Sequence, residues 1–368
     1  MKLLLLGGGH SHLEIVRRLI LEPGRPFETT LVSAGPAHHY SGMVPGYLMG
    51  TYTEQEICFD LAALLRRAGG QFVEGTVVAF DPRQRSATLS GGEILTYDLA
   101  SLAIGSVTRG GAAVSGSVQL VKPIFRATRL RERLLAVAAL PHARVVVVGA
   151  GAAGFEIACA ARSILDASSR TGEVTLVDGA SEVLSGYASP VQELARRVLQ
   201  ERQIGLQLGG RVRQVDPDAV DLESGLTLAS HLTIWVTGAE APPLIRQSGL
   251  ATSDDGFLLV DGGLRSVSHP EVFGAGDCVT LKGHPETPKA GVYATRHGPV
   301  LWKSLRAVAL GGPPPMYRPQ HGFLSLLNTG DGRAILRYRF LHGWSRGAMR
   351  LKDAIDRRFM RRYQRLVA

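Results

Sequence analysis

Apolar residues fall along this chain in short runs that end on glycine. Residues 145–148 are four valines in a row, which reads as a strand covered on both faces of a parallel sheet. The run meets Gly149, Gly151 and Gly154, and a stretch of helical spacing follows. Residues 3–6 make a second such run, closing on Gly7 and Gly9 ahead of a helical stretch at 13–21. Two further apolar runs stop at Gly105 and Gly238. The spacing predicts strands at 29–32 and 173–177, and shorter ones at 71–78, 86–89, 94–95 and 206–228. It predicts helices at 60–68, 123–140 and 190–201.

The turn at 149–154 reads G-x-G-x-x-G between a strand and a helix, and each glycine has its own duty. Gly149 permits the tight turn, Gly151 lets backbone approach a pyrophosphate, and Gly154 lets the helix lie close to the strand. The helix start then aims N–H groups and the positive end of its dipole at the phosphates. The next strand ends at Asp178, placed to hold a ribose 2′-hydroxyl and to repel a 2′-phosphate, which favours NADH over NADPH. At the N-terminal turn His12 stands where the third glycine is expected, and Ser33 replaces the acid. The halves share one plan: glycine turn, βα units, antiparallel strands, then an apolar strand closing on glycine. The expected fold class is therefore α/β with two Rossmann-like dinucleotide-binding domains.

Composition narrows the class. The chain has 368 residues, 44 of them glycine, enough for two or three domains with tight strand-to-helix turns. Cys58, Cys159 and Cys278 form no C-x-x-C and no metal-ligand spacing, so no metal site is expected and a reducing, cytoplasmic setting is the simplest reading. The chain opens directly on its first strand, so no secretory leader is expected, and the apolar runs are too short to span a bilayer. Charge is uneven: the formal excess of +9 equals that of residues 332–368 alone, where eleven Lys and Arg face only Asp353 and Asp356. A basic surface spread over the whole body is absent, which argues against a nucleic-acid partner.

Other candidates lie outside the two turns. The run through Gly274, Gly276 and Asp277 suggests a strand end that delivers Asp277 to a sugar-alcohol hydroxyl. Lys289 begins a segment expected to be helical and to approach the cofactor. Residues 36–46 read as a turn-rich loop placed to fold over it. His10 and His12 are read mainly as satisfying local hydrogen bonds, with His10 also placed to line the cofactor phosphates.

Together these residues resemble the pyridine nucleotide-disulfide oxidoreductase superfamily, and within it the NADH-dehydrogenase-like branch. More narrowly, His10-Ser-His12, the 40–46 segment and the 352–360 segment are similar to flavoproteins fused to selenide, water dikinase. The resemblance implies FAD at Gly7, Gly9, His10, Ser33, Gly105, Gly276 and Asp277. It implies NADH at Gly149, Gly151, Gly154, Asp178 and Gly238. Glu156 matches an acid near the nicotinamide carboxamide, and Lys289 is the candidate for balancing the charge of a reduced flavin. The implied domains are 1–110 with 249–315 for FAD, 111–248 for NAD(P)H inserted between them, and a C-terminal region at 316–368. The dithiol of disulfide reductases is missing. The acceptor is left open, with quinone one candidate and a sulfide:quinone reductase-like enzyme or a non-catalytic flavin sensor as alternatives.

In the tail, apolar residues recur at three- and four-residue steps from 349 to 363, predicting a helix. Three readings stand: an interfacial helix on anionic lipid, a docking face for an acidic protein, or a helix packed on the flavin domain. A homodimer is compatible with all three.

Overall fold

The computed structural model describes residues 1–22, 26–114, 116, 118–168, 171–320 and 322–367. Its core is two parallel five-stranded sheets. In the first, the opening strand Lys2–Leu6 lies between Glu28–Ser33 and Leu99–Leu102, with Gln71–Glu74 and Val272–Gly274 at the edges. Leu4 sits opposite Thr30 on one side and Ala100 on the other. The second sheet repeats the order: Ala143–Val148 lies between Gly172–Asp178 and Leu232–Trp235, with Ile204–Leu208 and Gln119–Leu120 outside. Residues 3–6 and 145–148 are all buried, as strands covered on both faces must be. Each half also carries a three-stranded antiparallel sheet, between Val77 and Thr96 and between Val212 and Ala229. The duplication read from the glycine turns is therefore a duplication of architecture. Because Val272–Gly274 returns to the first sheet, the second sheet is threaded between parts of the first.

The turns work as their glycines require. Gly7 has φ 89°, and a Cβ there would stand 2.6 Å from the carbonyl oxygen of Ala103. Gly149 has φ 111°, with a Cβ 2.5 Å from the oxygen of Val236. At Gly154 a Cβ would fall 1.7 Å from the oxygen of Gly149, so no side chain fits between helix and turn. His12, at the matching place in the first turn, is fully buried. Its Nδ1 lies 2.7 Å from the Gly7 carbonyl and its Nε2 2.9 Å from the Ser101 hydroxyl. A carbonyl only accepts, so Nδ1 carries the proton and Nε2 accepts from Ser101. Burial holds this imidazole neutral, with its pKa down at about 4. The ring thus ties the turn to the neighbouring strand.

Residues 36–46 are more ordered than their composition predicts. Ala37–His39 pairs antiparallel with Cys58–Asp60, Ser41–Met43 is a 3₁₀ turn, and Val44–Leu48 is a short helix. Pro45 lies in that helix's first turn, where its missing N–H leaves no bond unmade. The chain ends in a three-stranded antiparallel sheet from Ser325 to Ser345 and a helix, Arg346–Gln364, whose first turn Ser345 caps. This helix packs on the body, burying Met360 and Tyr363. Among the described residues no helix is long and apolar enough to cross a membrane.

Candidate functional site

A cleft of about 740 Å³ opens at the carboxyl ends of the first sheet, where open α/β sheets bind ligands. Seven of the residues expected at a flavin site line it: Gly7, Gly9, His10, Ser33, Gly105, Gly276 and Asp277. Gly105 and Gly276 both hold positive φ there, 70° and 78°. Asp277 is not alone. Lys122 Nζ donates to Asp277 at 3.2 Å and to the Ser106 hydroxyl at 2.7 Å, and Ser106 lies 3.4 Å from the same carboxylate oxygen. Lys122 and Ser106 also line the cleft, yet nothing in their local sequence marks them. Ser106 follows strand Leu99–Leu102 of the first sheet, and Lys122 follows strand Gln119–Leu120 of the second.

The cleft has the marks of a bound group. The buried Nε2 atoms of His10 and His38, both on its wall, have no partner among the described residues. Burial pushes His10 down to about 4 and His38 to about 3, so both rings are neutral at pH 7 and each offers one donor or acceptor. The His10 ring stacks on Phe359 of the C-terminal helix at 5.7 Å and meets His38 edge-on at 5.2 Å. An unpartnered buried nitrogen costs about 1–3 kcal/mol unless a ligand satisfies it.

The second set of residues stands at the other sheet. Gly151 has no atom within 4 Å of the place a Cβ would take, so its backbone is open to a ligand, whereas Gly149 and Gly154 are closed by the turn. Asp178 accepts from the Ala150 N–H at 2.5 Å and the Ala180 N–H at 2.7 Å, tying the strand end to the glycine turn. Gly238 accepts from the Arg109 N–H at 2.8 Å, and a Cβ there would lie 3.8 Å from the Arg109 guanidinium carbon. No residue of this set lines the large cleft.

Two further candidates are held by contacts that their local sequence does not show. Lys289 does not reach the cleft wall: its ammonium donates to the Val279 carbonyl and, at 3.0 Å, to the Thr280 hydroxyl, lying 4.1 Å from the centre of the Phe257 ring. The segment before helix Gly291–Ala309 runs extended at Ala290, and this aims Lys289 back along strand Val279–Leu281. Glu156, the fifth residue of helix Ala152–Ala167, joins a crowded ionisable group. Its Oε1 accepts the Asn328 N–H at 2.7 Å. Burial raises its pKa to about 7, with Lys352 and the Asn328 N–H pulling the other way.

Sequence reading missed that group. Lys352 and Asp356, one turn apart on the inner face of the C-terminal helix, pair at 2.8 Å with 9% and 7% of their side chains exposed. Lys352 also donates to the Gly42 carbonyl at 2.6 Å, and the Tyr40 hydroxyl donates to Asp356 at 3.2 Å. Burial opposes the Lys352 charge, but Glu156 and Asp356 outweigh it and leave the ammonium pKa above its usual value. The helix therefore turns this one ion pair inward beside Ala348, Met360 and Tyr363, and leaves Leu351 and Ile355 outside among exposed arginines. The thiols are silent: Cys58 and Cys278 are pushed up to about 11 by burial, and Cys159 is raised by the same cause.

Two duplicated parallel sheets, each with a glycine turn shaped for a dinucleotide, define a two-dinucleotide oxidoreductase fold. The chain belongs to the pyridine nucleotide-disulphide oxidoreductase family, which it matches over residues 1–298. An NADH dehydrogenase-like protein of Mycobacterium tuberculosis is 32% identical over 251 residues, which are 65% of this chain and 62% of the relative's own length. Among solved structures, the sulfide:quinone oxidoreductase of Aquifex aeolicus is similar with a TM-score of 0.84 at 18% identity, over 99% of this chain and 92% of that one. The NDH2 of Plasmodium falciparum in complex with NADH gives 0.83 at 14% identity, over 98% and 96%. At such identities the two structures establish the fold.

Proposed function

We propose that this chain is an FAD-dependent NADH dehydrogenase-like oxidoreductase that moves a hydride from NADH through flavin to a second acceptor. The observation that carries this reading is the cleft. Lys122–Ile124, which follows the second sheet's edge strand Gln119–Leu120, and Pro242, Pro243, Leu244 and Gln247, on the return from the second sheet to the first, form part of its wall. A dinucleotide held at the first glycine turn would thus lie beside the passage to the second sheet, where the open Gly151 backbone can take another. On this reading residues 1–110 and 249–315 hold the flavin, and 111–248 hold the nicotinamide.

Flavin, when bound, supplies the hydride-accepting ring. The chain supplies the rest. The N–H groups of Gly9 and His10, at the start of helix His10–Leu21, face the pyrophosphate position. Asp277, anchored by Lys122 and Ser106, accepts from a ribitol hydroxyl. Glu156, titrating near neutrality, holds or releases a proton beside Lys352 and Tyr40 as the acceptor is reduced.

As acceptor we propose a quinone, met where the basic C-terminal face touches an anionic membrane from the cytoplasmic side. The outer face of the last helix alternates Arg350 and Arg358 with Leu351 and Ile355, and the neighbouring hairpin exposes Phe340 and Leu341. Mixing the protein with NADH without oxygen tests the hydride route. Bleaching of the flavin band is expected, and a flavin left oxidised would remove the dehydrogenase reading. Sedimentation with anionic vesicles at low salt tests the membrane contact, and protein left in the supernatant would remove it.

A further inference from the structure

Behind the turn that carries Asp277 lies a second, far smaller cavity of about 10 Å³, close to the room that one water needs. Gly276, Asp277, Thr287, Lys289 and His297 are among the residues that line it. Gly276 and Asp277 also line the large cleft, so their turn stands between the two spaces.

His297 closes the small cavity from helix Gly291–Ala309 and is 2% exposed. Its Nδ1 lies 3.0 Å from the Gly276 nitrogen. A peptide N–H only donates, so Nδ1 accepts and the ring proton of the neutral imidazole sits on Nε2. Burial keeps the ring neutral, with its pKa down at about 4. That Nε2–H has no partner among the described residues. The bond at Nδ1 holds Gly276 at φ 78°, a conformation from which glycine departs freely, and so sets the direction in which Asp277 leaves the turn.

Lys289 brings a second donor to the same cavity. Its ammonium has three N–H groups, and the Val279 carbonyl and the Thr280 hydroxyl take two of them. Burial lowers its pKa, so a third oxygen partner stabilises the charged form. Asp277 and Thr287 supply acceptors. Lys122 and Ser106 both bond Asp277 at Oδ2, which leaves the lone pairs of Oδ1 open. The Thr287 hydroxyl donates to the His284 carbonyl at 2.9 Å and keeps its own lone pairs. Two donors and two acceptors around so small a volume suit a water, which accepts twice and donates twice, while the ammonium repels a cation.

We propose that His297 and Lys289 hold one ordered water in this cavity, and that His297 positions the turn that presents Asp277 to the cleft. The ring acts at both nitrogens: Nδ1 fixes the Gly276 peptide, and Nε2–H is joined to Lys289 through the water. The positioning role rests on the reading that the cleft holds flavin.

A crystal structure of the flavin-loaded protein is expected to show one water within hydrogen-bond distance of His297 Nε2 and Lys289 Nζ. A cavity without density there would overturn the water site. FAD release on dilution, followed by the rise of flavin fluorescence, tests the positioning role. H297Q sets its amide near the place of Nε2 and leaves the Gly276 N–H unpaired, and it is expected to release FAD about tenfold faster than wild type. H297N sets an amide oxygen where Nδ1 accepts, and it is expected to stay within about threefold of wild type. Both variants releasing FAD alike would overturn the positioning role, because the bond to Gly276 would then not matter. If the wild type takes up no FAD at all, the flavin reading of the cleft fails and the positioning role with it. If the wild type holds FAD and the variants do not differ, only the positioning role fails.

Discussion

Replacing Lys352 with methionine removes one half of a buried ion pair and leaves the rest in place. Asp356, 5% exposed, would face Tyr40 and the neighbouring Glu156 with no cation inside the helix interface. The folded protein can keep Asp356 charged, or protonate it. Leaving an uncompensated buried charge costs about 3–5 kcal/mol. Protonation at pH 7 from an unfolded value of 3.8 costs about 4 kcal/mol, at 1.36 kcal/mol per pH unit over 3.2 units. The two routes agree, so K352M is expected to lose about 4 kcal/mol at pH 7. The pH dependence follows from the second route. A carboxyl whose folded pKa lies above its unfolded one binds more protons when folded, and stability then rises as pH falls. The deficit should shrink to about 2 kcal/mol at pH 5. Equilibrium urea unfolding of wild type and variant at the two pH values measures both figures. The double variant with D356N, which removes the charge on each side, should recover most of the loss. A deficit below about 1 kcal/mol at pH 7, or one that does not change with pH, would refute the buried pair.

Glu156 makes the fold less stable as pH rises, because burial lifts its pKa from 4.5 to about 7. E156Q should therefore unfold at higher urea than wild type at pH 9, by about 2–3 kcal/mol, converge with it at pH 4, and lose any step near pH 7 in the flavin reoxidation rate. Two glycines of one turn should part company in binding and unfolding measurements. G154A, whose Cβ meets the Gly149 oxygen at 1.7 Å, is expected to destabilise by several kcal/mol, whereas G151A should fold normally and weaken NADH binding at least tenfold. Lys289 separates the observed contact from the expected one. K289M should cost about 1–2 kcal/mol through the lost bonds to Val279 and Thr280, while the rate of flavin reduction by NADH stays unchanged. A slowed reduction would restore Lys289 to the flavin.

Much of the cleft was legible because glycine at a turn is dictated locally. Gly7, Gly149 and Gly154 announce close backbone approaches that any other residue would block, and the apolar runs before them announce strands. The expected flavin residues lie together for the same reason: each closes a strand of one sheet, and parallel strands end on a common edge. His12 marks the limit of that logic. It reads as a damaged glycine position, yet its ring completes the turn through Ser101, a residue 89 positions away.

What the sequence determined by itself is the duplicated α/β plan, the two dinucleotide turns, the helical tail and the concentration of charge within it. These follow from period, residue shape and count, which act over a few neighbours. Only the tertiary structure decided where the solitary charges go. Lys122 reaches Asp277, Lys289 turns to Phe257, and Lys352 enters the interior with Asp356 at Glu156. A long cationic side chain has no periodic signature, and its position is set by whichever carboxylate or carbonyl the packed fold brings within reach.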